Sequence, residues 1–200
     1  MITLIRSELF RMATIRSSWV SLALFGAVTA AAGVADATWW ALFAGIGAFG
    51  ISVLTVTQHY QHRTVSLLYV ARPNRFQVLL AQVGTTVAVA WSLALLSGVP
   101  NLLRHGGQVY FRTLVVVPIM AVFGAALAAI VRRSAWLISG FGIWFVIVEG
   151  IATQFRWPLP MTSYMDASRG DGFGIEVFSV WAAVALAVAA VALRRDLSGD

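Results

Sequence analysis

Thr113-Leu114-Val115-Val116-Val117-Pro118-Ile119-Met120-Ala121-Val122-Phe123-Gly124-Ala125-Ala126-Leu127-Ala128-Ala129-Ile130-Val131-Arg132-Arg133 holds nineteen uncharged residues closed by two arginines. At about 1.5 Å rise per residue, such a run as a helix nearly crosses the ~30 Å hydrocarbon core of a bilayer. Proline and glycine inside it are tolerated, because in a membrane neighbouring groups re-satisfy the backbone they disturb. The arginine pair marks where the chain leaves hydrocarbon.

Five more runs of this kind flank it, and the expected spans are 18–35, 38–57, 76–97, 113–131, 135–153 and 173–193. The predicted class is therefore all-α, a polytopic membrane protein of one domain over residues 1–200. Arginines choose its orientation, since positive charge near span ends is retained in the cytoplasm. Arg6, Arg11 and Arg16 precede the first span; Arg63, Arg72 and Arg75 lie between the second and third; Arg132 and Arg133 follow the fourth; Arg194 and Arg195 follow the sixth. Only Arg104, Arg112, Arg156 and Arg169 fall on the opposite side. Both termini are expected in the cytoplasm. The first span is expected not to be a cleaved signal, because no small-residue cleavage site leads into a soluble domain.

Composition agrees. Apolar types make up 60% of the chain and charged ones 11%, too few polar groups to cover a water-facing globule. The net charge of +6 would suggest nucleic acid in a soluble protein, but here it resides in loops that face anionic headgroups, so membrane lipids are the expected contact and nucleic acid is not. No cysteine is present, which excludes disulfides and thiol chemistry. Every basic residue except histidine is arginine, a usage that points to a GC-rich bacterium and hence to a bacterial inner membrane. Without lysine the chain cannot form a P-loop, whose lysine reaches the β- and γ-phosphates.

Residues 1–17 alternate apolar and charged positions at helical spacing. Leu4, Ile5, Leu9, Met12 and Ile15 stand against Arg6, Glu8, Arg11 and Arg16, as in an amphipathic helix lying in the interface. A basic flank that only enforces orientation is the plainer reading.

Residues 58–75 are longer than a chain reversal requires. They read Gln58-His59-Tyr60-Gln61-His62-Arg63-Thr64-Val65-Ser66-Leu67-Leu68-Tyr69-Val70-Ala71-Arg72-Pro73-Asn74-Arg75. A polar entry leads to a short helix-compatible run and then a turn, with Pro73 disfavouring α conformation at Arg72. This stretch resembles the coupling-helix region of the ABC type-2 permeases, the membrane subunits of ATP-binding-cassette exporters. Thr64 and Pro73-Asn74-Arg75 match that family's pattern, whereas His59, Arg63 and Gln82 stand where it tends to place an acid, a glycine and a lysine. Six spans, an interfacial first helix and a proline-containing segment over 154–172 also look like the family.

The resemblance implies a permease subunit that moves a small molecule, lipid or peptide without chemistry of its own. It implies two separately encoded ATPase subunits docked on the tip, contacting Tyr60, Gln61, His62, Arg63, Thr64, Leu67, Leu68, Arg72, Pro73 and Arg75. Those subunits would hold the ATP and magnesium, and this chain would bind no cofactor. A second copy of the chain, or a homologue, would complete the path. Short helices over 154–172 would dip into the membrane and cap the exit; an outer loop with Trp157 and Tyr164 as interfacial anchors is the simpler alternative. In the fifth span Glu149 falls where similar permeases often carry an acid. Because a carboxylate in hydrocarbon is costly, it is expected to face the translocation path or a subunit interface. Alternatively it reaches the outer headgroups and pairs with Arg112 or Arg156. A non-transporting accessory or sensor subunit, or a lipid-modifying membrane enzyme, are the competing functional classes.

Other patterns carry less. Gly45-Ile46-Gly47-Ala48-Phe49-Gly50 fits a dinucleotide fingerprint but lies within a span without strand or acid, so Ala41 and Gly45 are better read as small residues for close helix packing. His59 and His62 lack a third ligand, so no metal site is expected. His105 sits in a glycine-rich outer segment. Ser139-Gly140 has neither flanking motif nor histidine in any span, so no catalytic residue is assigned.

The arginine asymmetry is testable with single cysteines, since the native chain supplies no background. A cysteine replacing Gln61 should resist an impermeant thiol reagent in intact cells and react after permeabilisation; labelling of intact cells would reverse the topology.

Overall fold

A computed structural model describes residues 16–61 and 75–195. Its elements are α1 (Arg16–Ala35), α2 (Ala37–Gln61), α3 (Arg75–Ser97), α4 (Val99–His105) and α5 (Gly107–Val131). After them come α6 (Ser134–Ile143), continued by a π-helical stretch (Trp144–Ala152), then α7 (Pro160–Arg169) and α8 (Gly172–Arg195). No strand occurs among the described residues.

Five helical runs are long and apolar enough to cross a bilayer: Ala37–Gln58, Gln77–Ser97, Gly107–Val131, Ser134–Ala152 and Gly172–Leu193. A shorter apolar run, Leu22–Ala35, lies in α1. This is a multi-pass membrane architecture. Many large side chains on its outside, among them Leu24, Trp136, Ile143, Ile151 and Val180, are more than 60% or close to 60% exposed, a surface suited to lipid rather than water.

Boundaries differ from the sequence expectation in three places. The glycine-rich segment between the expected third and fourth spans is almost wholly helical: α4 ends at His105, Gly106 turns the chain at φ +82, and α5 starts at Gly107 instead of Thr113. The second span continues as helix to Gln61, past the expected end at Thr57. The fifth is not one α-helix, because its second half takes the wider π register. The amphipathic segment up to residue 15, with Arg6, Glu8 and Arg11, lies outside the described residues, as does the tip from His62 to Asn74; Arg16 opens α1 and Arg75 opens α3.

The middle of the bundle is α2 against α5. Small residues let these helices approach: a Cβ on Gly124 would stand 3.1 Å from the Phe49 carbonyl oxygen and 3.2 Å from the Ser52 Cβ. In a membrane such close packing substitutes for the hydrophobic drive that lipid removes. Aromatic contacts tie further helices to this pair. Phe49 stacks on Phe141 of α6 at 4.1 Å between ring centroids, and Phe123 meets Phe178 of α8 edge-on at 6.0 Å.

Tight turns join the helices. Arg132 closes α5 in the left-handed region, its N–H bonding the Ala128 carbonyl, and Arg133 is extended before α6 begins. At the other end of the bundle, Asp36 separates α1 from α2 and its Oδ1 accepts hydrogen bonds from the N–H groups of Thr38 (2.7 Å) and Trp39 (3.3 Å). Those bonds hold its carboxyl below the usual range. The cap therefore stabilises α2 above the carboxyl's unfolded pKa and fades as pH falls through the lowered folded value.

Ala41 and Gly45 do form a site of close approach, and the group that approaches is a side chain. The Tyr164 ring lies over Gly45, where a Cβ would stand 2.5 Å from Cε1, and the Tyr164 hydroxyl donates to the Ala41 carbonyl at 2.9 Å. Gly45→Ala should therefore destabilise the folded protein by about 1–3 kcal/mol through overpacking. Tyr164→Phe, which keeps the ring, should cost only about 1 kcal/mol for the lost hydrogen bond. Thermal unfolding in mild detergent measures both; equal stability of Gly45→Ala and wild type would refute the contact.

Candidate functional site

The segment 154–172 folds into a short helix with a recognisable start and stop. Pro160 occupies the first turn, where its missing N–H costs nothing, and Gly170 ends the helix at φ +103. The stop is a Schellman arrangement: the Gly170 N–H bonds the Ala167 carbonyl and the Asp171 N–H the Asp166 carbonyl, each at 3.0 Å. The start has a defect. Its N-cap residue is Leu159, which has no side-chain acceptor for the orphan amides of the first turn.

Glu149 supplies the acceptor from another helix. Its Oε2 accepts from the Thr162 N–H at 2.6 Å and the Thr162 hydroxyl at 2.8 Å. Its Oε1 accepts from the Met161 N–H at 3.1 Å and from Trp144 Nε1 at 3.2 Å. The side chain is completely buried within the chain. Four donors and the positive end of the α7 dipole surround this carboxylate, the compensation that burial of such a group demands.

The π register makes this possible. Residues five apart lie about 140° from one another around an α-helix of 3.6 residues per turn, so Trp144 and Glu149 would point apart. With i to i+5 bonding they fall on one face, and the indole reaches the carboxylate. The Phe155 N–H then bonds the Glu149 carbonyl at 2.8 Å, ending the helix through two left-handed residues, Gln154 at φ +50 and Phe155 at φ +55.

The far end of α7 has the complementary charge. Arg112 of α5 donates from Nη1 to the Arg169 carbonyl at the C-terminal, negative end of the helix dipole. Its guanidinium occupies the space a Cβ on Gly170 would need. Close to the middle, Gly174 of α8 lets backbone meet backbone, since a Cβ there would stand 2.7 Å from the Ala167 nitrogen. Thus α7 is attached to the fifth span at its start, to α5 at its end, and to α2 and α8 between.

Beside α7 lies a cavity of about 480 Å³, bounded by the start of α2, the π-helical stretch and α7 itself. Thr162 belongs both to its wall and to the Glu149 cluster. Asp166 stands at its edge, its carboxyl raised by partial burial, against which Arg169 acts as a lowering charge.

Among the residues singled out from sequence, Glu149 is at the centre of the assembly, and its partners correct one expectation. It is neither hydrated nor paired with Arg112, which serves the other end of α7, nor with Arg156; its donors are two backbone amides, a hydroxyl and an indole. Of the expected ATPase contacts, Tyr60 and Gln61 close α2 and Arg75 opens α3, whereas His62, Arg63, Thr64, Leu67, Leu68, Arg72 and Pro73 lie outside the described residues. Sequence reading did not single out Trp144, Thr162, Gly170 or this use of Arg112. The spacing of Pro160 and Gly170 was the available signal for α7. No group of three metal-ligating side chains occurs among the described residues.

No family model, no curated protein and no solved structure matches the chain.

The Glu149 cluster leads to a graded expectation. Glu149→Gln keeps the volume but turns an amide NH2 toward groups that are themselves donors, so it should lower stability by about 2–3 kcal/mol. Glu149→Asp, which retains charge but is one methylene shorter, should lose part of the contact and fall between the two. Chemical or thermal unfolding of purified protein orders the three; a glutamine variant as stable as wild type would exclude the clasp.

Proposed function

We propose that the chain is the membrane-spanning permease subunit of an ATP-binding-cassette exporter of the type-2 class, moving a small molecule, lipid or peptide across a bacterial inner membrane. The observation that carries this reading is α7: a short helix between the last two long spans, fastened to both, in the position where such permeases place helices that cap the exit. In this reading α1 forms the first of six spans, and an even number of crossings leaves both termini in the cytoplasm. Arg132 and Arg133 then face inside, while Arg104, Arg112, Arg156 and Arg169 gather near α4 and α7 outside.

The distribution of burial supports a second membrane subunit. Within the most apolar stretch of the fifth span only 11% of residues are buried within the chain, against 78% for the corresponding stretch of α2. One chain offers one wall; a second copy or a homologue offers the other. Two ATPase subunits dock on the 58–75 tip and hold ATP and magnesium between themselves. ATP binds one arrangement of the tips better than the other, and that difference in affinity is the free energy available to move the spans. Glu149 acts on the path through α7, by fixing where the outer cap sits.

The tip is the point of test. Leu67→Ala combined with Leu68→Ala should weaken association with the cognate ATPase by about 1–2 kcal/mol per side chain and reduce transport-coupled hydrolysis, leaving membrane insertion intact. Measured in reconstituted vesicles, unchanged coupling would exclude the tip as the docking element. Nucleotide-independent spans would favour the accessory reading instead.

A further inference from the structure

Of two cavities of nearly equal size, one differs chemically from a lipid-filled groove. The groove between α1 and α3, about 490 Å³, is walled by aliphatic and small residues with Ser92 the one hydroxyl, so nothing there orients a ligand. The cavity beside α7, about 480 Å³, combines an aromatic and aliphatic wall with one carboxylate and one guanidinium at its edge. Mostly apolar concavity with few orienting polar groups is the usual constitution of a small-molecule site.

Three observations define what would fit. First, Trp39, Phe145 and Phe155 present rings to the space, and Trp39 and Phe155 are 55% and 50% exposed at its mouth. Ring faces attract cations. Second, Asp166 and Arg169 lie one helical turn apart on α7 with 3.6 Å between Oδ1 and Nη1, both partly exposed. A single contact leaves most of the guanidinium's five donors and the carboxylate's acceptor positions available to a ligand. Third, Phe155 is held in the left-handed region directly after Gln154 in the same region, a conformation that non-glycine residues avoid. This unfavoured backbone is what places the Phe155 ring 5.8 Å from that of Phe145, closing one side of the cavity.

We propose that this cavity binds a zwitterionic amphiphile: its apolar body lies against Leu42, Phe145, Phe155 and Met165, its ammonium faces Asp166 and the Trp39 ring, and its anionic group meets Arg169. An acid alone would select a cation and an arginine alone an anion. The two together, a few ångströms apart at the mouth of an apolar space, select a head that carries both charges. A bilayer lipid with a phosphoethanolamine head and a single-chain zwitterion both have this chemistry. The inference is independent of the permease reading, because it concerns binding and needs neither an ATPase nor transport. Thr162 joins the cavity wall to the Glu149 carboxylate, so occupancy also braces α7.

The test uses the full chain in dodecyl maltoside with a phosphatidylethanolamine whose acyl chain carries a photoactivatable diazirine. Peptides containing Trp39–Leu42 and Phe155–Met165 should be labelled in preference to the outward surface around Leu24 and Val180. Trp39→Ala with Phe155→Ala should reduce that labelling by about 10-fold, the change expected from loss of two ring contacts. Trp136→Ala, at the opposite end of the fifth span, should leave it unchanged. Asp166→Asn should abolish the preference for phosphatidylethanolamine over the same photolabel with an anionic phosphoglycerol head; this substitution at a partly exposed carboxylate keeps the test valid if the double variant fails to fold. Competition by unlabelled lysophosphatidylethanolamine at lower concentration than by the unlabelled diacyl lipid assigns the site to a single-chain amphiphile, and the reverse order to a bilayer lipid. Labelling that ignores head charge, or that spreads evenly over the outward surface, would overturn the proposal.

Discussion

Placing the Glu149 carboxylate on the first turn of α7 satisfies two requirements at once. An ionisable group within an apolar span needs several hydrogen bonds, and a short helix that begins at an apolar N-cap needs acceptors for its free amides. Neither is met locally. The neighbours of Glu149 within its own span are mostly isoleucine, valine, glycine and phenylalanine, and Trp144 is the one that donates to its carboxylate; the neighbours of Leu159 are prolines. Each defect is cured by the other across the eleven-residue separation between Glu149 and Pro160, and the chain between them is folded accordingly.

Arg112 gives the same arrangement with opposite sign at the other end of α7. A positive side chain at the C-terminal carbonyls and a negative one at the N-terminal amides both interact favourably with the helix dipole. In water each would contribute a fraction of a kcal/mol, but the buried end, where Glu149 is shielded from solvent, weighs more than the exposed end at Arg169. The consequence is directional. The start of α7 is the strongly held end and its C-terminal turn the more compliant one, although Gly174 and the Tyr164 hydroxyl restrain its middle.

Much of this was legible from sequence, and the limits have physical causes. Long apolar runs and arginine pairs read directly as spans, since hydrocarbon leaves few alternatives to helix. Glu149 stood out for the same reason: a charge in such a run needs a partner. The partner's identity was not encoded nearby. Backbone amides of α7 carry no side-chain signature, and Trp144 lies five residues away, a spacing that an α-helical reading discards. The small residues Ala41 and Gly45 announced a close approach but not that Tyr164, 123 residues away, makes it. The segment around His105 fell between expected spans, and Gly106 does break the helix there, yet helical residues resume at once.

Without a hydrophobic drive between helices in lipid, a lightly packed span keeps its place through specific contacts. The fifth span is the case in point. Its α-helical half is tied to the core by the Phe49–Phe141 stack, and its π-helical half by the bonds from Glu149 to α7. Most of the remaining surface, including Gly140 and Gly142, whose added Cβ atoms would meet nothing, faces outward. Since α7 is itself joined to α2, α5 and α8, the carboxylate is the link through which the π-helical half of this peripheral span is held to the central pair, as the Phe141 ring holds the α-helical half. Displacing the α-helical half of the span can leave α7 in place, but displacing the π-helical half must carry α7 with it or break three hydrogen bonds from α7 to the buried Glu149 carboxylate, and the second course is the costlier one.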